Sequence, residues 1–161
     1  MLKFALLLAI ELSVGSLGAF AACTPVQGAD QIWSNKQVHW VFIGEVHGSN
    51  EAPAAFIDLV CDSFAHHKNV TVALERPTSE QEALTRVLSA KDLSIAEMTL
   101  LDQPGWKSGM DGRASKAMLK LLLSLRILRA AHPGLNVFAF DTPYKSGDRP
   151  GKRDEAMGQA L

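Results

Sequence analysis

No stretch of this chain is basic enough to track a phosphate backbone, and the net charge is only −1, so nucleic acid is excluded as the expected partner. Cysteine is almost as scarce: Cys23 and Cys61 are the only two, without the spacing that binds zinc. Internal repeats and low-complexity segments are missing too, which removes solenoids and disordered tracts from consideration. The leucine-rich stretch around residues 118–128 is too short, and too closely flanked by charge, to cross a bilayer. What remains is a 161-residue chain, 47% hydrophobic and 20% charged. That balance is globular, and the length suffices for one domain with a real core.

The amino-terminal residues carry an export pattern. Lys3 forms a short positive region, residues 4–10 are apolar, and Ala19-Phe20-Ala21 is a small-x-small cleavage site. Residues 1–21 are therefore expected to be a signal peptide, or a lipoprotein signal ending at residue 22. The competing reading, a buried first helix, draws support from Glu11 inside the apolar stretch. Lys3 and Glu11 would leave together, so the charge balance is indifferent to cleavage. The expected location is periplasmic or secreted. Cys23 is open to two readings. It pairs with Cys61 and staples an arm of residues 22–37 to the first helix, or it is lipidated or free while Cys61 packs in the core. In the second case a lipid on Cys23 is the sole expected membrane contact.

The domain is organised around residues 38–51. Val38, His39, Trp40, Val41, Phe42 and Ile43 read as a buried strand, broken by Gly44. In extended chain, Glu45 and His47 face the same side. Gly48, Ser49 and Asn50 supply a turn and a cap for a helix carrying Phe56, Ile57, Val60, Cys61 and Phe64. His66 and His67 follow as a polar surface ending, since adjacent helical residues make a poor chelate. Residues 70–74 predict a second strand, with Glu75 and Arg76 next. Thr78 to Gln81 and Ser94 to Glu97 both read as capping boxes opening helices. Residues 102–114 lack periodicity and read as a functional loop containing Trp106 and Arg113. Residues 115–131 predict the strongest helix, with Met118, Leu121, Leu122, Leu125 and Leu128 on one stripe. Residues 136–140 predict a third strand, followed by Asp141, a turn-rich basic loop over 142–152, and a helix starting at Arg153. Strands alternating with helices predict an α/β fold with a parallel central sheet and flanking helices.

Each predicted strand is followed by an acid: Glu45, Glu75 and Asp141. In a parallel sheet those ends share one edge, the edge at which open α/β sheets bind ligands. Carboxylates gathered there need compensation by a metal or by arginines, for which Arg76, Arg113, Arg149 and Arg153 are the candidates. His39, inside the first strand, reads as a packed residue.

Gly44-Glu45-Val46-His47-Gly48-Ser49, then a helix and a strand ending Ala73-Leu74-Glu75, resembles the signature of the erythromycin-esterase-like, ChaN-like and Tiki superfamily. Asp111-Gly112-Arg113-Ala114-Ser115 and Arg153-Asp154-x-x-Met157 are similar to segments of its exported ChaN-like haem-binding branch. The resemblance covers roughly residues 38–158 and implies a three-layer domain over 38–161 that is incomplete at its carboxyl end. The family's further histidine from a later strand has no counterpart here. It further implies that Glu45, His47 and Glu75 are catalytic or hold a divalent metal; the strand-end reading adds Arg113, Asp141 and Arg153 as the expected substrate-binding residues. Three functions follow from the resemblance as expectations. The first is a hydrolase of a small molecule or peptide, with His47 as base or ligand. The second is a haem or iron carrier using His47 or His39 and an apolar groove, with a homodimer as one way to complete it. The third is an inactive remnant.

Overall fold

The computed structural model describes residues 23–109, 111–142 and 151–161. The expected signal peptide and Arg149 lie outside the described residues. Seven α-helices and two strands follow one another within them: α1 (Ala29–Ser34), α2 (Glu51–Ser63), β1 (Val70–Pro77), α3 (Gln81–Leu88) after a 3-10 turn, α4 (Leu93–Leu101), α5 (Pro104–Ser108), α6 (Lys116–Ala131), β2 (Leu135–Asp141) and α7 (Lys152–Ala160). The two strands pair in parallel, so the molecule is a small α/β domain whose helices flank a parallel sheet.

The core lies where α6 crosses the sheet. The predicted stripe of α6, Met118, Leu121, Leu122, Leu125 and Leu128, is buried throughout. It meets Val72 and Leu74 of β1, Leu135 and Val137 of β2, and Leu84, Val87, Ala96 and Leu100 of α3 and α4. Ser115 caps α6, its hydroxyl accepting from the Met118 N–H at 3.2 Å, which satisfies one of the orphan donors of the first turn. Both strands alternate regularly, with Val72, Leu74 and Arg76 inward on β1 and Leu135, Val137, Ala139 and Asp141 inward on β2.

Several sequence expectations need correction. Residues 38–43 form no strand. The exposure of their apolar side chains runs from 36% at Ile43 to 78% at Phe42, and the backbone bonds of residues 38–49 among the described residues are local ones, such as Ser49 N–H to the Val46 carbonyl. A run apolar on both faces makes a stable strand only where both faces are covered, and here the outer face is bare. The arm contains a short helix, α1. Helix α4 is capped two residues earlier than predicted, by Asp92, which accepts from the Ile95 N–H at 2.9 Å. Thr78 opens a 3-10 turn without a side-chain cap, and Asn50 caps α2 by position alone. Within the predicted loop at 102–114, Pro104 initiates α5, as a first-turn proline can.

Cys23 and Cys61 form a disulfide, with their Cα atoms 5.6 Å apart. This tie is reinforced by the Trp33 indole N–H, which donates to Asp62 at 2.6 Å. His66 and His67 are exposed, as expected, and flank the Trp33 ring at 6.0 Å each.

Candidate functional site

The register of the sheet slips between Leu74 and Pro77: three steps on β1 answer two on β2, from Ala139 to Asp141. This extra residue falls on Glu75 and Arg76. Irregularities of this kind re-aim side chains and recur beside functional sites. Arg76 keeps the inward direction and is 4% exposed. A buried guanidinium must have its donors satisfied. Its Nε and Nη2 donate to Glu80, its Nη1 donates to the Arg113 carbonyl at 2.7 Å, and its face lies 5.2 Å from the Trp106 ring centre. Trp106 thus packs the loop and accepts a cation on its ring.

Glu75 turns the other way, to the carboxyl edge. Its Oε1 accepts from Arg113 Nη2 at 2.9 Å and from Arg153 Nη2 at 2.8 Å. Arg153 Nε also donates to Asp141 Oδ1 at 2.9 Å, so a single guanidinium on α7 joins the acids of both strands. Burial pushes the Glu75 carboxyl upward, but the bonds from Arg153 and Arg113 outweigh it and hold the group below its ordinary value. Arg153 is raised in return by Asp141 and Glu75. Arg113 is further steadied by Asp111, whose carboxylate takes both its backbone N–H, at 3.0 Å, and its Nη1, at 2.6 Å.

Glu45 and His47 arrive on the 44–48 turn rather than from a strand end. Their side chains meet, as two-residue spacing predicted, with His47 Nδ1 3.5 Å from Glu45 Oε1. Both atoms are shielded from solvent and neither makes a hydrogen bond to another described residue. Arg113 Nε is left in the same condition. All three residues, with Glu75, line one cavity of about 860 Å³ between β1, α2 and residues 38–43. Its remaining walls include Trp40, Phe56, Val72 and Phe140, so apolar walls and a few charged groups share one cavity, the usual build of a small-molecule site.

Of the expected residues, then, the structure gathers Glu45, His47, Glu75 and Arg113 around the cavity, with Asp141 and Arg153 bonded behind Glu75. His39 lies on the cavity wall and is exposed, not packed inside a strand. Glu45, His47 and Glu75 do not assemble as a metal centre: no group of three or more His, Cys, Asp or Glu side chains is arranged to hold a metal ion among the described residues. The chemistry explains this, because a cation bound to Glu75 would face two guanidinium groups. Sequence reasoning missed the Asp111 anchor of Arg113 and the buried role of Arg76. The inward alternation of Val72, Leu74 and Arg76 could have signalled the latter.

The fold and site define a small α/β domain with an acid, histidine and arginine cluster at its sheet edge. Comparison with family models, with curated proteins and with solved structures yields no match.

Proposed function

We propose that the domain is an exported hydrolase in which His47, oriented by Glu45, takes the proton of a water molecule. One observation carries this reading: Glu45 Oε1 and His47 Nδ1 approach to 3.5 Å, shielded and without a hydrogen bond to any described residue, among the residues lining a cavity of small-molecule size. With Nδ1 turned to the carboxylate, Nε2 is the atom left to receive a proton. The water oxygen then attacks the carbonyl carbon of an ester or amide. The carbonyl carbon–leaving-group bond breaks, and the leaving group takes the proton from His47. Arg113, with its unpartnered Nε–H, would hold an anionic or carbonyl part of the substrate, and Glu75 between two arginines keeps Arg113 in place. The disulfide suits the oxidising compartment that export implies. The test is turnover of a chromogenic ester by His47→Ala, alongside its circular dichroism spectrum. Loss of turnover with an unchanged spectrum supports the reading, and retained turnover overturns it.

The apolar walls of the same cavity favour a second reading, a haem carrier. His39 and His47 both line the cavity and offer the imidazoles that could serve haem iron. An absorption band on titration with haem, lost in the His47→Ala, His39→Ala double variant, would support it; an unchanged spectrum in the native chain would remove it.

A further inference from the structure

With residues 38–43 unpaired, strand pairing cannot be what places His47, and another contact must do so. The backbone of residues 38–49 makes only local hydrogen bonds among the described residues. Opposite His47 lies the 111–115 turn. Gly112 has φ +87°, in the left-handed region where side chains are disfavoured. A Cβ built on it would fall 2.5 Å from the His47 carbonyl carbon, 2.6 Å from the Gly48 nitrogen and 2.7 Å from the His47 carbonyl oxygen. All three are backbone atoms, so no side-chain rotation could relieve the overlap. The two chain segments therefore meet peptide on bare Cα, across 64 positions of sequence (112 against 48).

The turn that presents Gly112 is held on every side. Ser115 N–H bonds to the Gly112 carbonyl at 3.1 Å and the Ser115 hydroxyl caps α6. The Arg113 carbonyl accepts from buried Arg76, and the Arg113 side chain is bonded to Asp111 and Glu75. A single turn thus begins the central helix, fixes Arg113 beside Glu75 and abuts the peptide that carries His47.

We infer that Gly112 is a positioning residue: its bare Cα, packed on the His47–Gly48 peptide, sets the imidazole's place relative to Arg113 and Glu75. This inference deepens the hydrolase reading in its consequence, but the placement itself is independent of any turnover. A methyl group at 112 must push the His47–Gly48 peptide away, and the imidazole with it. The strain of a left-handed alanine alone does not do this. Gly28 provides the control, because it shares the conformation at φ +85° and has nothing within 4 Å of an added Cβ.

The test uses isotope-labelled full chain with its disulfide intact. In the native protein, nuclear Overhauser contacts are expected between the Gly112 Hα protons and the Gly48 amide proton. In Gly112→Ala the His47 imidazole resonances are expected to move, while in Gly28→Ala they stay in place. If chromogenic ester is turned over, kcat falls in Gly112→Ala and not in Gly28→Ala. Absence of the native Overhauser contact overturns the inference, as do unmoved His47 resonances in a folded Gly112→Ala. Should that variant fail to fold, the native contact decides. If His47→Ala retains turnover but Gly112→Ala moves the imidazole, the hydrolase reading fails and the positioning stands.

Discussion

Two stretches of this chain send nearly the same signal and take different structures. Residues 70–74, Val-Thr-Val-Ala-Leu, and residues 38–43, Val-His-Trp-Val-Phe-Ile, are both short, apolar and rich in β-branched or aromatic side chains, and an acid soon follows each. The first becomes β1, paired with β2 along one edge and covered by α6 on one face. The second pairs with no strand among the described residues and leaves Trp40 and Phe42 stacked on each other in the open, ring centres 6.4 Å apart. The difference lies in what surrounds the stretch: β-propensity measures how well a side chain fits a pleated, covered surface. The two edges of the sheet show the same rule. Gln81 of α3 reaches the outer side of β2, its Oε1 accepting from the Ala139 N–H at 2.7 Å. The outer side of β1 faces the cavity, with residues 38–43 as the far wall.

The contrast can be broken at its covalent tie first. The disulfide closes a separation of 38 residues and fixes the amino-terminal arm to α2. Replacing both cysteines, Cys23→Ser with Cys61→Ser, is expected to cost roughly 2–4 kcal/mol by widening the freedom of the unfolded chain. Denaturant unfolding reads the loss. Equal midpoints for the native and double-variant chains would show that tying the arm at Cys23 to α2 contributes nothing to stability. The next effect is smaller and lies inside β1. Val72 is 3% exposed, so Val72→Ala is expected to lose about 2 kcal/mol in the same measurement, through lost burial and the void left behind.

What could be read from the sequence divides along the same line. The stripe of α6, its Ser115 cap, both paired strands and the meeting of Glu75 with Asp141 and the arginines were all legible, because each follows from period or local order. The Glu45–His47 meeting matches the expectation, but a turn closed by the Ser49 N–H on the Val46 carbonyl carries it, not the strand end from which two-residue spacing predicted it. The unpaired state of residues 38–43 was not legible, because a hydrophobic run does not say whether its outer face will be covered. Gly112 against the His47–Gly48 peptide was equally hidden, as such an approach is written in backbone positions rather than in side-chain pattern. Asp92 displaced Ser94 as the cap of α4 because both residue types cap well, and pattern alone does not choose between them.

A third prediction concerns the charged cluster beside the cavity. Glu75 is held below its ordinary 4.5 because Arg153 and Arg113 outweigh the effect of burial. A depressed folded value means that its stabilising contribution is present above 4.5 and is lost as pH falls through the lower folded value. Arg153→Met removes the stronger of the two arginine bonds, so the Glu75 carboxyl should titrate closer to 4.5, and carboxyl carbon resonances followed through acid pH measure this. The acid loss of stability should then be shallower than in the native chain. An unmoved Glu75 would show that Arg113 alone suffices.

The smallest expected effect is the most searching. Val41 is 41% exposed, against 3% for Val72, so the same chemical change at the two positions isolates environment from residue type. Val41→Ala removes side-chain surface that the folded chain leaves substantially open to water, and the unfolding free energy should change by less than about 0.5 kcal/mol. A loss near that of Val72→Ala would mean that Val41 is covered in solution. Given the open edge of β1 across the cavity, that cover would be the sheet itself. The two stretches would then differ in when they pair rather than in whether they can.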